Sequence, residues 1–341
     1  MTRRASLAGA LAGAMTCLAA GAQTPSLTLV VANRGENTVA FLDPVSGKRL
    51  GLVNVGEQPH GLVVSDDGKL AFVANTLTTR SGGRLVSPSI SVIDIATRTE
   101  LRRVDIGPFS RPHWLIYAGG KLYFTAEGYK AVGCYDPATN TIDWMIGHGQ
   151  ERGTEIVLNK AATMLIAENR GSDSVSMMER RSDPAQWTVS LDWSVTTIPV
   201  GAYPHGFDLS PDEKELWTAS EVDRTISIID VAARKVIETV RPSIDAPTRL
   251  KFTPDGRRVV IADGIGVLML DARTRREVKR VKLQSRTPHE DMLFSRDGRQ
   301  IYLPNMDDIE VLDAETLELK GRLNSGKFPE GMGWSTVRPK E

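Results

Sequence analysis

Four of the five histidines in this chain follow a proline: Pro59-His60 in "EQPHGL", Pro112-His113 in "SRPHWL", Pro204-His205 in "AYPHGF" and Pro288-His289 in "RTPHED". Near neutral pH an imidazole serves as a proton acceptor and as a lone-pair ligand. Several of them beside a carboxylate suit zinc, copper or iron, and one alone can act as a general base. The histidines lie far apart along the chain, with no H-x-H or H-E-x-x-H spacing, so only the fold can bring them together.

The elements that would do so repeat. "KLAFVANTL", "KLYFTAEGY", "TMLIAENRG", "KELWTASEV", "RRVVIADGI" and "RQIYLPNMD" resemble one another and the early "LTLVVANRG". After each comes an alternating strand that ends in an acid: "VAFLD", "ISVID", "VGCYD", "VSMME", "ISIID", "VLMLD", "IEVLD". A polar turn and a third strand follow, then a proline-led strand closed by an "SDDGK"-like turn. Seven such units are entered at Pro59, Pro112, Gly153, Pro204, Pro247, Pro288 and Pro329. Four short alternating strands per unit, repeated at this period, predict an all-β seven-bladed propeller. The chain begins on a second strand and ends on a first strand, so the termini should complete one blade, joining the region of Val30 to that of Trp334. Asp43, Asp94, Asp136, Asp230, Asp271 and Asp313 recur at turn starts and read as turn formers that accept backbone N–H bonds.

In such a ring the proline-led strand lines the central channel, and its first residues stand at the channel mouth. The expected mouth is His60, His113, Thr154, His205, Thr248, His289 and Glu330, with Glu290 the alternative to His289 because that unit has one extra residue. Arg111 and Arg249 lie beside it, and His148 falls in another loop on the same face. Ring closure makes Glu330 a neighbour of His60. The candidate metal ligands are therefore His60, His113, His289 and Glu330, with His205 across the channel. The ends of the second strands, read as Asn33, Asn75, Glu127, Glu168, Ser220, Asp263 and Asn305, add polar groups to this face. Two insertions, 76–88 and 181–199, depart from the period. The second carries Trp187 and Trp193.

"VVSDDGKLAFVANTL…SISVIDIATRTELRRVDIG" and "SPDEKELWTAS…TISIIDVAARKVIETV" resemble the YVTN-type repeat of YncE-like propellers over nearly all of the chain that follows its first residues. The resemblance specifies fold more than function. It implies kinship with lactonase-like enzymes, haem d1-binding proteins and quinoprotein dehydrogenase heavy chains, with no motif that selects one of them.

The chain has 341 residues, 42 basic and 42 acidic, which argues against bulk attraction to nucleic acid. "MTRR", the apolar run Ala5–Ala19 and "AGA" form an export-signal pattern over 1–22, leaving one propeller domain over 23–341. The "TRRASL" flank fits the twin-arginine motif only in part, which favours the general secretory route. "AMTC" argues against a lipoprotein at Cys17. No later apolar run is long enough to span a bilayer, so the mature chain is expected in the periplasm or outside the cell, as a monomer. Cys134, alone after cleavage, reads as a core residue.

Three functions fit. The first is binding of a small molecule or a periplasmic protein partner at the mouth. The second is a metal-assisted hydrolase or lyase, or a lactonase-like enzyme, with Glu330 as partner to the histidines and Arg111 or Arg249 stabilising an oxyanion. The third is a redox or cofactor-maturation role with copper or with non-covalent haem on one histidine, since C-x-x-C-H is absent. Binding without chemistry requires the least beyond the residues themselves.

Overall fold

In the computed structural model, residues 27–77, 79–81, 84–180, 193–284 and 289–340 are described, with backbone alone for 79–81 and 84–86. The export-signal pattern of 1–22, Trp187 and Pro288 lie outside the described residues.

Seven four-stranded antiparallel sheets form the seven blades. Blade 1 is shared by the two ends of the chain. Thr28–Asn33, Thr38–Leu42 and Arg49–Asn54 are joined by Pro329–Ser335. Leu29 pairs with Trp334 and Val30 with Gly333, which closes the ring where the sequence predicts. Blades 2 to 7 then follow in chain order, and their innermost strands are Pro59–Val64, Pro112–Ala118, Gly153–Leu158, Pro204–Leu209, Pro247–Phe252 and Leu293–Phe294.

The second and third strands of each blade are buried almost throughout, whereas the outermost strands alternate or are exposed, as in Thr99–Asp105 and Thr141–Gly147. Alternation on the inner strands supplies apolar side chains to both faces of each blade, and these interlock with the neighbouring blades. Phe72 and Ile90 of blade 2 pack with Leu115, Phe124 and Tyr135 of blade 3. Cys134 belongs to the next such cluster, and burial pushes its thiol up to about 11, so it is a core residue and not a nucleophile.

The turns obey local chemistry. Asp43, Asp94, Asp136, Asp230, Asp271 and Asp313 each accept a backbone N–H two or three residues on, at 2.7–3.0 Å. On the face where the innermost strands end, Ser65, Ser210, Thr253 and Ser295 each donate to an aspartate two residues on, at 2.6–2.8 Å. The first insertion forms a short ribbon, Thr79–Ser81 with Arg84–Val86, between the second and third strands of blade 2. The described part of the second insertion is the outermost strand of blade 4, Trp193–Pro199, where Trp193 meets Trp144 of blade 3 at 4.9 Å between ring centroids.

Candidate functional site

The start of each innermost strand pairs with the end of the second strand, as in Pro59 with Asn75, Pro112 with Ala126, Gly153 with Asn169, Pro204 with Ser220 and Pro247 with Asp263. This register puts the loops before the first strands and after the second strands on one face. It also corrects two assignments, since the strand ends of blades 3 and 4 are Ala126 and Asn169, not Glu127 and Glu168. Asn33, Asn75 and Asn169 turn out to be structural, each bonded to a serine or threonine hydroxyl of its own blade.

The residue before the first strand is left-handed in five blades: Gln58 (φ 49°), Arg111 (φ 46°), Arg152 (φ 53°), Tyr203 (φ 56°) and Phe328 (φ 49°). Non-glycine residues adopt this region only when surrounding structure over-determines it. Here the kink turns the chain down into the channel.

In blade 7 the pairing of Leu293 with Tyr302 matches that of Val63 with Phe72 in blade 2. Counting back three residues, Glu290 stands where His60 stands and His289 takes the proline's place. The alternative register is the observed one, and His289 is a correction to the expected mouth. Its Nδ1 lies 2.9 Å from the Pro304 carbonyl and its ring is wholly buried. His148 is structural too. Its imidazole lies where a side chain on Gly153 would point, 2.8 Å from that Cβ position, and so fills the place a proline ring holds in the other blades.

The mouth is therefore His60, His113, Thr154, His205, Thr248, Glu290 and Glu330. The predicted arc is assembled on one side. His60 Nε2 is 2.9 Å from Glu330 Oε2, Arg34 donates to Glu330 Oε1 at 2.9 Å, and the His60 and His113 rings lie 3.7 Å apart. Opposite, His205 Nδ1 lies 3.2 Å from Glu221, which also accepts from Arg170 at 2.7 Å, and His205 Nε2 lies 3.9 Å from Glu290. Arg111 stays at the rim, 3.6 Å from Glu127.

Beneath this ring Arg249 spans the channel. Wholly buried, it donates to the carbonyls of Thr248 and Glu290 at 2.6 and 2.7 Å, sits 2.5 Å from the Glu155 carboxylate, and faces the Trp114 ring at 5.3 Å. One side chain thus ties blades 3, 4, 6 and 7. Further along the inner strands lies an open cavity of about 390 Å³, lined by apolar residues such as Leu62, Leu115, Ile156 and Met292 together with Asp208, Lys251 and Asp291. There Asp208 and Asp291 accept the backbone N–H groups of Phe252 and Met332 in the adjacent blades, at 2.9 Å each.

Burial sets the charge states. Loss of hydration, reinforced by the nearby His60 and Arg249, holds the His113 imidazole well below its ordinary range, and burial lowers His205 as well despite its contact with Glu221. Both are neutral at neutral pH. Burial and the Glu155 charge push the Glu168 carboxyl well above the usual carboxylate range. Burial also pushes against ionisation of Glu290, but Arg249 and the neighbouring histidines outweigh it and bring that carboxyl down to about 2.

Buried polar atoms without a hydrogen-bond partner occur at four mouth positions; Glu330 Oε2 is met by the His60 imidazole at 2.9 Å, which leaves His113 Nδ1, Thr154 Oγ1 and Thr248 Oγ1 with neither a hydrogen bond nor an ion pair among the described residues. Among the described residues no three His, Cys, Asp or Glu side chains converge in a metal-binding arrangement. Of the expected set, His60, His113 and Glu330 lie together, whereas His289 has moved to the proline position and His205 faces Glu221 on the opposite side. His113, whose ring makes no hydrogen bond among the described residues, is the imidazole that could give a haem iron one axial bond.

The sequence reading missed Trp114, Glu155 and Asp291. Their signal is the residue two places after the proline position, which is glycine in Gly61, Gly206 and Gly331 but large or charged in Trp114, Glu155, Arg249 and Asp291.

No curated protein matches this chain. Among solved structures it is similar to a functionally unknown protein from Desulfotomaculum acetoxidans (TM-score 0.71, 12% identity, covering 92% of this chain and 99% of that one). It is also similar to a protein proposed to be a 6-phosphogluconolactonase from Bacteroides uniformis (TM-score 0.71, 13% identity, 91% and 100%). A third is the dihydro-heme d1 dehydrogenase NirN in complex with DHE (TM-score 0.61, 15% identity, 91% and 75%). At these identities the likeness is one of fold. Residues 152–336 match the YncE-like β-propeller family, and with the seven four-stranded blades closed through its termini, the chain belongs to that family.

Proposed function

We propose that this propeller is an exported binding protein that holds a small polar ligand at the channel mouth. The observation that carries the reading is the set of buried, unpartnered polar atoms on three blades: His113 Nδ1, Thr154 Oγ1 and Thr248 Oγ1. Burial without a partner costs about 1–3 kcal/mol per group, and a native protein retains such groups where a ligand, an ion or a water satisfies them. A neutral imidazole offers one donor and one acceptor nitrogen, each hydroxyl can donate and accept, and Arg249 supplies a fixed floor. Arg34, Arg111, Arg152 and Arg170 ring the approach, each within 4.0 Å of a glutamate, so the mouth has polarity without a strong net field. That favours a ligand recognised by hydrogen bonds over one captured by charge.

The test uses the mature chain, 23–341, purified from the periplasm without a histidine tag. Thermal shifts against sugar acids, small dicarboxylates and neutral polyols should reveal one stabilising class. Thr154→Val and Thr248→Val should each weaken that ligand roughly tenfold, about one hydrogen bond's worth, while leaving the fold intact. No shift from any class, with or without added zinc, copper or iron, would overturn the reading. So would a Soret band or stoichiometric metal in the purified protein, which would point to a cofactor protein instead.

A further inference from the structure

Between the mouth and the turns, the inner strands share a layer that is apolar on four blades and charged on two. The fourth residue after each proline position holds one place in the register, facing the third residue before the end of the second strand. On blades 2, 3, 4 and 7 it is Val63, Ile116, Val157 and Leu293, whereas on blades 5 and 6 it is Asp208 and Lys251. All six line the cavity of about 390 Å³, and none of the mouth residues does.

The acids of this chamber are occupied in holding blades together. Asp208 accepts the backbone N–H groups of Leu209 and Phe252 at 3.1 and 2.9 Å. Asp291, just ahead of Leu293 on blade 7, accepts those of Met292 and Met332 at 2.7 and 2.9 Å. Each carboxylate joins its blade to the next, and each of its oxygens keeps a second lone pair. Lys251 has no such task. It is half-buried, and among the described residues it makes no hydrogen bond or ion pair. An ammonium in this layer gives up hydration that the aliphatic side chains of blades 2, 3, 4 and 7 do not need. Its blade lies between those of the two acids. Burial pushes both carboxyls up, and Lys251 is foremost among the groups that hold them down, so it stands near both while touching neither.

Around three successive blades the chamber therefore presents acid, base, acid, and its opposite wall is apolar. A lone carboxylate at Lys251 would stand between two like charges. A lone amine at either acid would stand beside the lysine. A molecule that carries both charges close together meets each with its opposite, and its remainder can lie on the apolar wall. The volume is at the small end of the range for small-molecule sites, which suits a compact ligand. We propose that the chamber is a second binding site, separate from the mouth, for a free apolar α-amino acid. Its carboxylate pairs with Lys251, its ammonium with Asp208, and its side chain packs on Val63, Ile116 and Val157.

Calorimetric titration of the purified mature chain with leucine and with phenylalanine tests this. At least one of the two should bind. For leucine, the analogues that lack one charge, isocaproate and isoamylamine, should bind roughly tenfold more weakly or worse, since each forfeits a charge-assisted hydrogen bond. This comparison uses the unaltered protein, so it stands whether or not a variant folds. Lys251→Met should weaken the amino acid by about tenfold or more and leave the urea midpoint equal or higher, because methionine suits an apolar layer. Absence of binding by both amino acids would overturn the inference. So would tighter binding of isocaproate or isoamylamine than of leucine, or binding that Lys251→Met leaves undiminished. Binding lost in Thr154→Val but kept in Lys251→Met would place the amino acid at the mouth and overturn it as well.

Discussion

The two ends of the innermost strands teach opposite lessons. At the lower end, four blades solve the same problem with the same atoms: Ser65, Ser210, Thr253 and Ser295 donate to Asp67, Asp212, Asp255 and Asp297, and each aspartate also accepts a backbone N–H. Nothing is left over. At the upper end the seven positions share a backbone register but not a side chain, and three of them leave buried polar atoms unpartnered. Where repeats keep one chemistry and satisfy it completely, folding explains the residues. Where they diverge and stay unsatisfied, a ligand explains them better.

The sharpest way to break the comparison is Arg249→Met. At the upper end this side chain stands in for what the turns do below, tying several blades and compensating Glu155. Its removal leaves a buried carboxylate without its partner, and the expected loss is about 3–5 kcal/mol in denaturant unfolding. Glu155→Gln added to it should recover part of that loss. A loss below about 1 kcal/mol would show that water or a bound molecule already serves Glu155, and that the channel floor is not held by this cation.

A smaller effect separates the structural histidine from the mouth. Burial brings His148 down to about 4 from an ordinary 6.5. The unfolded chain therefore takes up a proton near pH 6.5 and the folded chain only near pH 4. The stability this residue contributes is present above pH 6.5 and lost as pH falls between those values, by about 3 kcal/mol at most. His148→Gln should flatten the stability–pH profile in that window. Glu168, whose raised carboxyl works in the opposite sense, should make the profile steeper on removal, because it gains a proton on folding as pH falls. A profile unchanged by His148→Gln would mean that His148 is hydrated in the folded protein.

The smallest effect is the most direct contrast. Thr253→Val and Ser210→Ala at the lower turns should each cost about 1 kcal/mol, because aspartate and backbone lose a bonded hydroxyl. Thr248→Val, with its hydroxyl buried and unpartnered, should cost nothing or stabilise slightly. Equal costs at both ends, read from urea midpoints, would erase the distinction.

Much of this was legible beforehand, for reasons that particular residues make clear. The strand alternation, the aspartate turns and the phase of the termini are local or additive, so the ring and its closure near Leu29 and Trp334 could be read directly. The pairing of Glu330 with His60 followed from closure alone. His289 was misplaced because one inserted residue shifts a strand's inward set by one, and the sequence shows the insertion but not where the backbone absorbs it. The sequence puts His148 in a loop on the mouth face but not that its ring occupies the space that Gly153 leaves open.

Period, turn chemistry and blade count are properties of neighbouring residues, and the chain states them without any coordinates. Which side chains meet across the channel is not a local property. The reach of Arg249 from blade 6 to Glu155 on blade 4 and Trp114 on blade 3 depends on channel width, on the tilt of the inner strands and on what the facing blades leave empty. Only packing decides those quantities. The same packing withdraws water from His113 Nδ1 and from the Thr154 and Thr248 hydroxyls, and it is this withdrawal that turns ordinary polar residues into a candidate site.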